Sequence, residues 1–400
     1  MAKPNKKKEQ EKNPLKKSTA SFNLVGEAKV SDFTFKLDEV SDGGWQYSRI
    51  NLGVDCGNGN VVYCDMMGGF GTAAWQKKSK KENVVYSRNK DFGMYVIDWE
   101  DRFNPQILAE VSPYSFIKVG LEKDVKGKTF VREFVSEYDA IEYIAENLED
   151  GMVVNIKGDL SYKIYNDTTQ IQKSIKSIFL SKAEPKDYKA RFQQAILIGE
   201  DAVGKFDKET KSFPISARVL DYTKMWNGKE VKATVPFFME YELKVDEKKP
   251  EVTKKMIDRF FKVKKGITEM IVDGDIVEGQ QLTSISADDI PEDIKALIEA
   301  GIYDEEDILK TMAAGGEKVR KFVIEKPSIK VLKSGEGDNV TKTPQVQLFP
   351  EKYEEEDLIL DFMFEDETDN SEDDLPADED DDDDDWLSEL ADDDDEDSPF

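Results

Sequence analysis

Two pairs of matching stretches constrain this chain more than anything else in it. LVGEAKV at 24–30 is matched by LIGEDAV at 197–203, and VNIKGDL at 154–160 by MIVDGDI at 270–276. Between the markers both copies read strand, turn, strand, helix. The first hairpin is YSRINLGVD–CGNGN–VVYCDMM and the second FPISARVLDY–TKMWNGK–EVKATVPFF. Asn-Gly in each turn is a strong hairpin signal, because both positions tolerate positive φ. The helices VSEYDAIEYIAENLED and PEVTKKMIDRFFKV space their apolar residues near 3.6, as in Ile141, Ile144, Ala145, Leu148 and Met256, Ile257, Phe260, Val263.

Strand, hairpin, helix, strand, strand is the order of a five-stranded OB barrel. The sequence therefore predicts a mainly β fold with some α, built from tandem OB-like barrels. In the fourth strand of copy one, Val154, Ile156, Leu160 and Ile164 alternate with Asn155, Lys157, Asp159 and Lys163, giving one buried and one wet face. In its hairpin Ile50, Leu52 and Val54 face the core. A three-residue turn, Asn58–Asn60, sets Val54 against Cys64 and Leu52 against Met66. A two-residue turn would put Asp65 opposite Leu52 and spoil that face. Cys56 and Cys64 then do not oppose each other, so no disulfide is expected.

The markers lie 130 residues apart in copy one and 73 in copy two, so copy one carries an insertion at about 68–134. The expected organisation is a basic disordered arm (1–20), a first OB-like domain (21–184), a second (190–286), a helix and strand extension (287–335), and a linker with an acidic tail (336–400). Charge follows this order. Residues 1–20 hold seven Lys and two Glu; residues 351–400 hold 28 Asp/Glu and one Lys, a net of -27 out of the chain's -29. The body is nearly neutral, so the acidity belongs to the tail.

Several chemistries are excluded. The chain has no histidine, which removes Ser-His-Asp and Cys-His catalysis and His-ligated metals. Two cysteines cannot build a four-thiolate zinc site. GEDAVGK (199–205) matches the start of a phosphate-binding loop, but Phe206 stands where Ser or Thr should hold magnesium. No catalytic residue, cofactor or metal is expected. No apolar run is long enough to span a bilayer and no signal core follows the N-terminus, so a cytoplasmic location is expected.

Basic and aromatic residues carry the positive evidence. Trp75 adjoins Lys77, Lys78, Lys80 and Lys81 in the insertion, and Tyr86 and Arg88 follow. Lysines on a flexible loop attract phosphates, and aromatics beside them offer flat surfaces to unstacked bases. Tyr95, Trp99 and Phe103 are assigned instead to the insertion's own small core. Tyr47 and Arg49 face away from the barrel core, joined by Tyr63. Trp45 lies in the first loop, Lys163 and Tyr165 enter the last, and Trp226 sits at the hairpin of copy two. An OB barrel binds oligonucleotides on this surface.

The chain ends DDDDEDSPF. With tandem OB-like copies and a basic-aromatic loop, this resembles the single-stranded DNA-binding proteins of bacteria and their phages. The resemblance implies binding and protection of single strands during replication, recombination or repair. It also implies an acidic tail whose apolar tip, usually Asp-Ile-Pro-Phe, docks on replication proteins. Here Asp397, Pro399 and Phe400 match and Ser398 replaces the Ile. Trp386, Leu387 and Leu390 form a possible second partner contact. At 400 residues with a tandem arrangement, a phage version acting in the host cytoplasm fits better than the usual bacterial member. Single-stranded RNA binding, or an acidic chaperone or scaffold, are the alternatives; a stacking cleft hardly separates RNA from DNA without a 2′-OH contact.

Overall fold

A computed structural model describes residues 15–364, with breaks at 92, 166–167, 209, 247, 281–289, 300–301, 304–307, 309–317 and 335–340. Residues 1–14 and the tail candidates Trp386, Leu387, Pro399 and Phe400 lie outside the described residues. The chain begins with β1 (Ala20–Lys29), β2 (Phe35–Val40), β3 (Trp45–Asp55), β4 (Val61–Gly71) and α1 (Ala73–Ser79). The insertion continues with β5 (Val84–Asn89), β6 (Gly93–Asp98), α2 (Pro105–Leu108), β7 (Ile117–Lys123) and β8 (Thr129–Phe134). Then come α3 (Glu137–Asn147), β9 (Val153–Tyr165) and β10 (Thr168–Leu180). The second copy runs β11 (Lys189–Ile198), β12 (Ser212–Trp226), β13 (Lys229–Lys244), α4 (Pro250–Met256) and β14 (Ile267–Gln280). It is followed by α5 (Glu292–Glu299), β15 (Lys318–Pro327), β16 (Ile329–Ser334), β17 (Thr341–Val346) and β18 (Leu348–Tyr353).

The strand order is β1-β3-β4-β10-β9 and back to β1 in the first copy, and β11-β12-β13-β15-β14 and back to β11 in the second. Each has its helix between the third and fourth strands, and the third and fifth strands of the second run parallel. This is the OB connectivity, twice, as the sequence predicts. Two compact units emerge: residues 15–29, Leu52–Cys64 and 149–364 form unit one, and Val30–Asn51 with Asp65–Leu148 form unit two.

Within unit one the two first strands pair antiparallel, with Phe22 opposite Phe192. Each Phe also lies opposite a glycine of its own fourth strand, Gly158 and Gly274 respectively. A Cβ at Gly158 would stand 2.7 Å from Phe22 Cε1, and at Gly274 2.4 Å from Phe192 Cε1, so the close packing of ring on backbone requires glycine at both. The copies thus meet through a local two-fold at Phe22 and Phe192. This geometry agrees with the VNIKGDL and MIVDGDI match but corrects the other. Gly26 lies inside β1 and Gly199 beyond the end of β11, so LVGEAKV and LIGEDAV are three residues out of structural register.

The turn of the first hairpin is also one residue earlier than expected. Cys56 N–H donates to Asn60 O at 2.8 Å, closing Gly57, Asn58 and Gly59, all at positive φ. The parity is unchanged, and Ile50, Leu52, Val54, Val62, Cys64 and Met66 are buried. Neither Cys56 nor Cys64 is in a disulfide; burial, then the Asp55 charge, push the Cys56 thiol up to about 12. In the second copy α4 passes into a π turn, Ile257–Phe261, which adds a residue to the last turn and buries Phe261 where 3.6-residue spacing points to Phe260.

The hairpin tip docks on β14. Asn60 Nδ2 donates to Ile276 O, and Asn60 Oδ1 accepts from Glu278 N–H, both at 2.8 Å. Beside it Lys173 Nζ meets Glu278 Oε1 at 2.7 Å, each side chain less than a tenth exposed. Removing one partner strands a buried charge, so Lys173→Met is expected to cost about 3–5 kcal/mol, while Lys173→Met with Glu278→Leu recovers most of it. Urea unfolding measures both; a single variant with the wild-type midpoint would refute the account.

Unit one also gathers residues 15–18 and 348–358. Ser18 N–H donates to Leu220 O at 2.7 Å, and Lys17 Nζ pairs with the buried Asp221 at 2.7 Å. Leu15 packs on Leu197, Leu220, Ile267, Tyr353 and Leu358. β18 pairs with β14. The second barrel expected at 190–286 therefore takes its fifth strand, β15, from the segment expected as an extension, and described parts of the expected arm and linker also pack on it.

Unit two holds the insertion. β5 pairs with β6, and β7 with β8. Val85, Ile97, Val111 and Val135 form its core, with Tyr95 and Trp99 against them. Arg102 bonds Asp139 at 2.9 Å and covers Trp99 at 4.1 Å. Phe103 departs from the expected core role: it is 58% exposed, under the Arg102 guanidinium.

Candidate nucleic-acid interface

Lys77 and Lys78 of the cluster lie on a short helix rather than a loop, while Lys80 and Lys81 follow its end. β4 ends at Gly71, whose N–H and C=O are both held by the Asn83 side chain at 2.7 Å. Thr72 then caps α1: its Oγ1 accepts from Trp75 N–H and donates to Gly44 O at 2.7 Å. These fixtures drop Trp75 onto Gly71, where a Cβ would stand 1.9 Å from the indole; no other residue fits there. Trp75 meets Trp45 edge to face, centroids 5.3 Å apart. Both rings remain half-buried.

Lys77 and Lys78 occupy the exposed last turn of α1, where cations suit the helix dipole. Lys80 ends the helix at φ 57, and Lys81 follows, exposed. The structure thus brings Trp45, Trp75 and the four lysines to one corner of unit two. Tyr47 and Arg49, half-buried on β3, pair with Glu39 and Lys36 of β2. Lys36 directly opposite Arg49 puts two cations on one stretch of sheet, and sequence reasoning passed over it. β2 is tied to α3 through Asp38, which accepts from Tyr138 and from Gln46; these bonds hold its carboxyl below the usual range.

Tyr86 and Arg88 stand on the solvent face of β5, opposite Val96 and Met94. Tyr86 is 71% exposed and Met94 75%. Ser112 N–H donates to Arg88 O at 2.8 Å, which brings the exposed Tyr114 to the strand's border. Met94 and Val96 were legible, since they alternate with the buried-side Tyr95 and Ile97. Tyr114 and the exposed Phe33 sit in turns and left no periodic signal.

The remaining candidates belong to unit one. Tyr63 is half exposed and lies over Gly53, whose missing Cβ makes room for the ring. Lys163 is half-buried on β9; the side chain of Tyr165 lies outside the described residues. Trp226 is half-buried, as Trp45 and Trp75 are. It packs on Phe237 at 5.8 Å and on Phe362 at 6.3 Å. Arg218 of β12 is likewise engaged, by Glu355 at 2.7 Å. The outer side of the second barrel's hairpin is therefore partly covered by residues 353–362. Phe238, 69% exposed beside Arg218, escaped the sequence reading.

GEDAVGK leads from β11 into turns and an isolated bridge, Val203 to Ile215, and opens no helix. Among the described residues no His, Cys, Asp or Glu cluster is arranged to hold a metal, and no helix is long and apolar enough to cross a membrane.

The YorF family model matches residues 110–297, somewhat under half of the chain. Among solved structures, the wild-type single-stranded DNA-binding protein of Thermus aquaticus is 10% identical, with a TM-score of 0.29, covering 66% of this chain and 87% of that one. A deletion mutant of the same Thermus protein gives the same identity and TM-score and covers 88% of its chain. No curated protein matches. The fold assignment rests on the strand pairings themselves.

Proposed function

We propose that the chain binds single-stranded DNA with little sequence preference, through the corner of unit two around Trp45 and Trp75. One observation carries the reading: two half-exposed indoles stand together at the root of a helix that ends in Lys77, Lys78, Lys80 and Lys81. Stacking of a base on such a ring is worth ~1–3 kcal/mol and is indifferent to sequence, while lysines meet the backbone. Tyr47, Arg49 and Lys36 extend the surface along β3 and β2, and Tyr86 and Arg88 offer a further contact on β5. The role is binding and protection in replication, recombination or repair, with no catalytic step. The acidic tail, ending in Pro399 and Phe400, recruits replication proteins.

All five tryptophans report in one titration with single-stranded DNA, duplex DNA and RNA at several salt concentrations. Single-stranded DNA is expected to change the emission and to dissociate as salt rises, with a log–log slope of about -0.7 per phosphate contact. Equal or tighter binding to the duplex would count against the stacking surface. Preference for RNA would move the reading to RNA.

A further inference from the structure

Two strands of unit one, β16 and β17, pair as a separate ribbon whose described side chains are exposed except for the half-buried Val346. Its register sets Ile329 opposite Val346, Val331 opposite Pro344, and Lys333 opposite Lys342. Ile329 is 58% exposed and Val331 51%. An isolated two-stranded ribbon is marginal in water, so an uncovered apolar face on one is unusual. Its root is fixed: Ser328 N–H donates to Ile271 O at 2.7 Å, and Ile271 N–H donates to Gln347 O at 3.0 Å. At this root lies a cleft of about 650 Å³ whose lining includes Lys157, Lys176, Arg191 and Lys326. Gln193, also in the lining, donates to Ser328 Oγ at 3.1 Å and so ties cleft to ribbon.

Charge selects the occupant. The two strands, IKVLKS and TKTPQV, contain three lysines and no acidic residue in a chain of net -29. Inside the cleft Arg191 is matched by Asp275 and Glu325, and Asp159 and Asp273 also line it. The ribbon therefore supplies the excess of positive charge. A second ribbon from another copy would set lysine against lysine, which disfavours self-pairing. A polyanion that also presents apolar surface fits both features.

We propose that this ribbon and the cleft at its root are a second contact for the single strand, with phosphates on Lys326, Lys330 and Lys342 and sugar or base surface on Ile329 and Val331. The inference rests on the DNA-binding reading and extends it to a surface far along the sequence from the tryptophan corner. The experiment compares full-length wild type with Lys326→Ala/Lys330→Ala/Lys342→Ala and with Ile329→Ser/Val331→Ser, on short and long oligonucleotides over a salt series. On long strands the lysine variant is expected to lose about tenfold in affinity and to flatten the salt slope by about 2, from three lost contacts. The Ile/Val variant loses affinity with the slope intact. All five side chains are exposed, so thermal midpoints stay at the wild-type value. Wild-type behaviour of both variants on long strands overturns the ribbon contact. So does a loss that vanishes once residues 365–400 are deleted, because the ribbon would then serve the acidic tail. Failure of the wild type itself to bind single strands retires the parent reading instead.

Discussion

Changing Lys77, Lys78, Lys80 and Lys81 together to Ala is expected to weaken single-stranded DNA binding about 100-fold at low salt. The salt slope should fall by about 3, since four released counterions at roughly 0.7 each are lost. The helix should survive. Thr72 caps its start, Trp75 anchors its middle, and the lysines point to solvent. Ala is also the best helix former, so the variant has no reason to unwind α1. Trp75→Ala acts differently. It removes a stacking surface and the anchor of α1 on Gly71, so affinity drops at least about tenfold while the slope changes less than in the lysine variant. Trp45 loses its edge-to-face neighbour, so its emission is expected to shift even without DNA. Fluorescence titration and circular dichroism check both variants. Unchanged affinity in both would move the principal contact elsewhere, and the ribbon of unit one would be the first place to look.

The sequence made the barrels legible because their strands are long and alternate cleanly. Ile50, Leu52, Val54 and Val154, Ile156, Leu160 all fall on the buried face. It misaligned the first marker pair because identity of letters is a weak guide to register. What packing fixes is a Phe ring over a Gly, and that pairing joins residues too far apart in sequence to be seen as a motif. The helical setting of Lys77 and Lys78 was hidden as well. It is fixed by tertiary contacts, Asn83 gripping Gly71 and Trp75 packing on that same glycine. Trp226 looked like Trp75 by composition, with lysines on either side. It differs in its ring partners, Phe237 across the hairpin and Phe362 more than a hundred residues away. A partner so distant leaves no local pattern in the sequence.

The same covering segment decides how the acidic tail must be tested. Truncation before residue 351 would remove Tyr353 and Leu358, which are buried against Leu197, Leu220 and Ile267. Losing two large apolar side chains from a core costs roughly 4 kcal/mol, and the Arg218–Glu355 pair goes with them. That variant is expected to unfold at lower urea, and any change in its DNA binding would be ambiguous. Truncation after Phe364 leaves the barrel whole and still removes 22 acidic residues and no basic one. A segment so charged, tethered to the cationic surfaces, competes with DNA at high effective concentration. Its removal should tighten DNA binding, most at low salt where screening is weak. Deleting Phe400 alone leaves the charge almost untouched, so DNA affinity should hold while capture of replication proteins from host extract is lost. Charge would then tune the strand affinity and the aromatic tip would choose the partner. Capture unchanged without Phe400 would reduce the tail to a solubilising segment, and its influence on DNA to plain electrostatics.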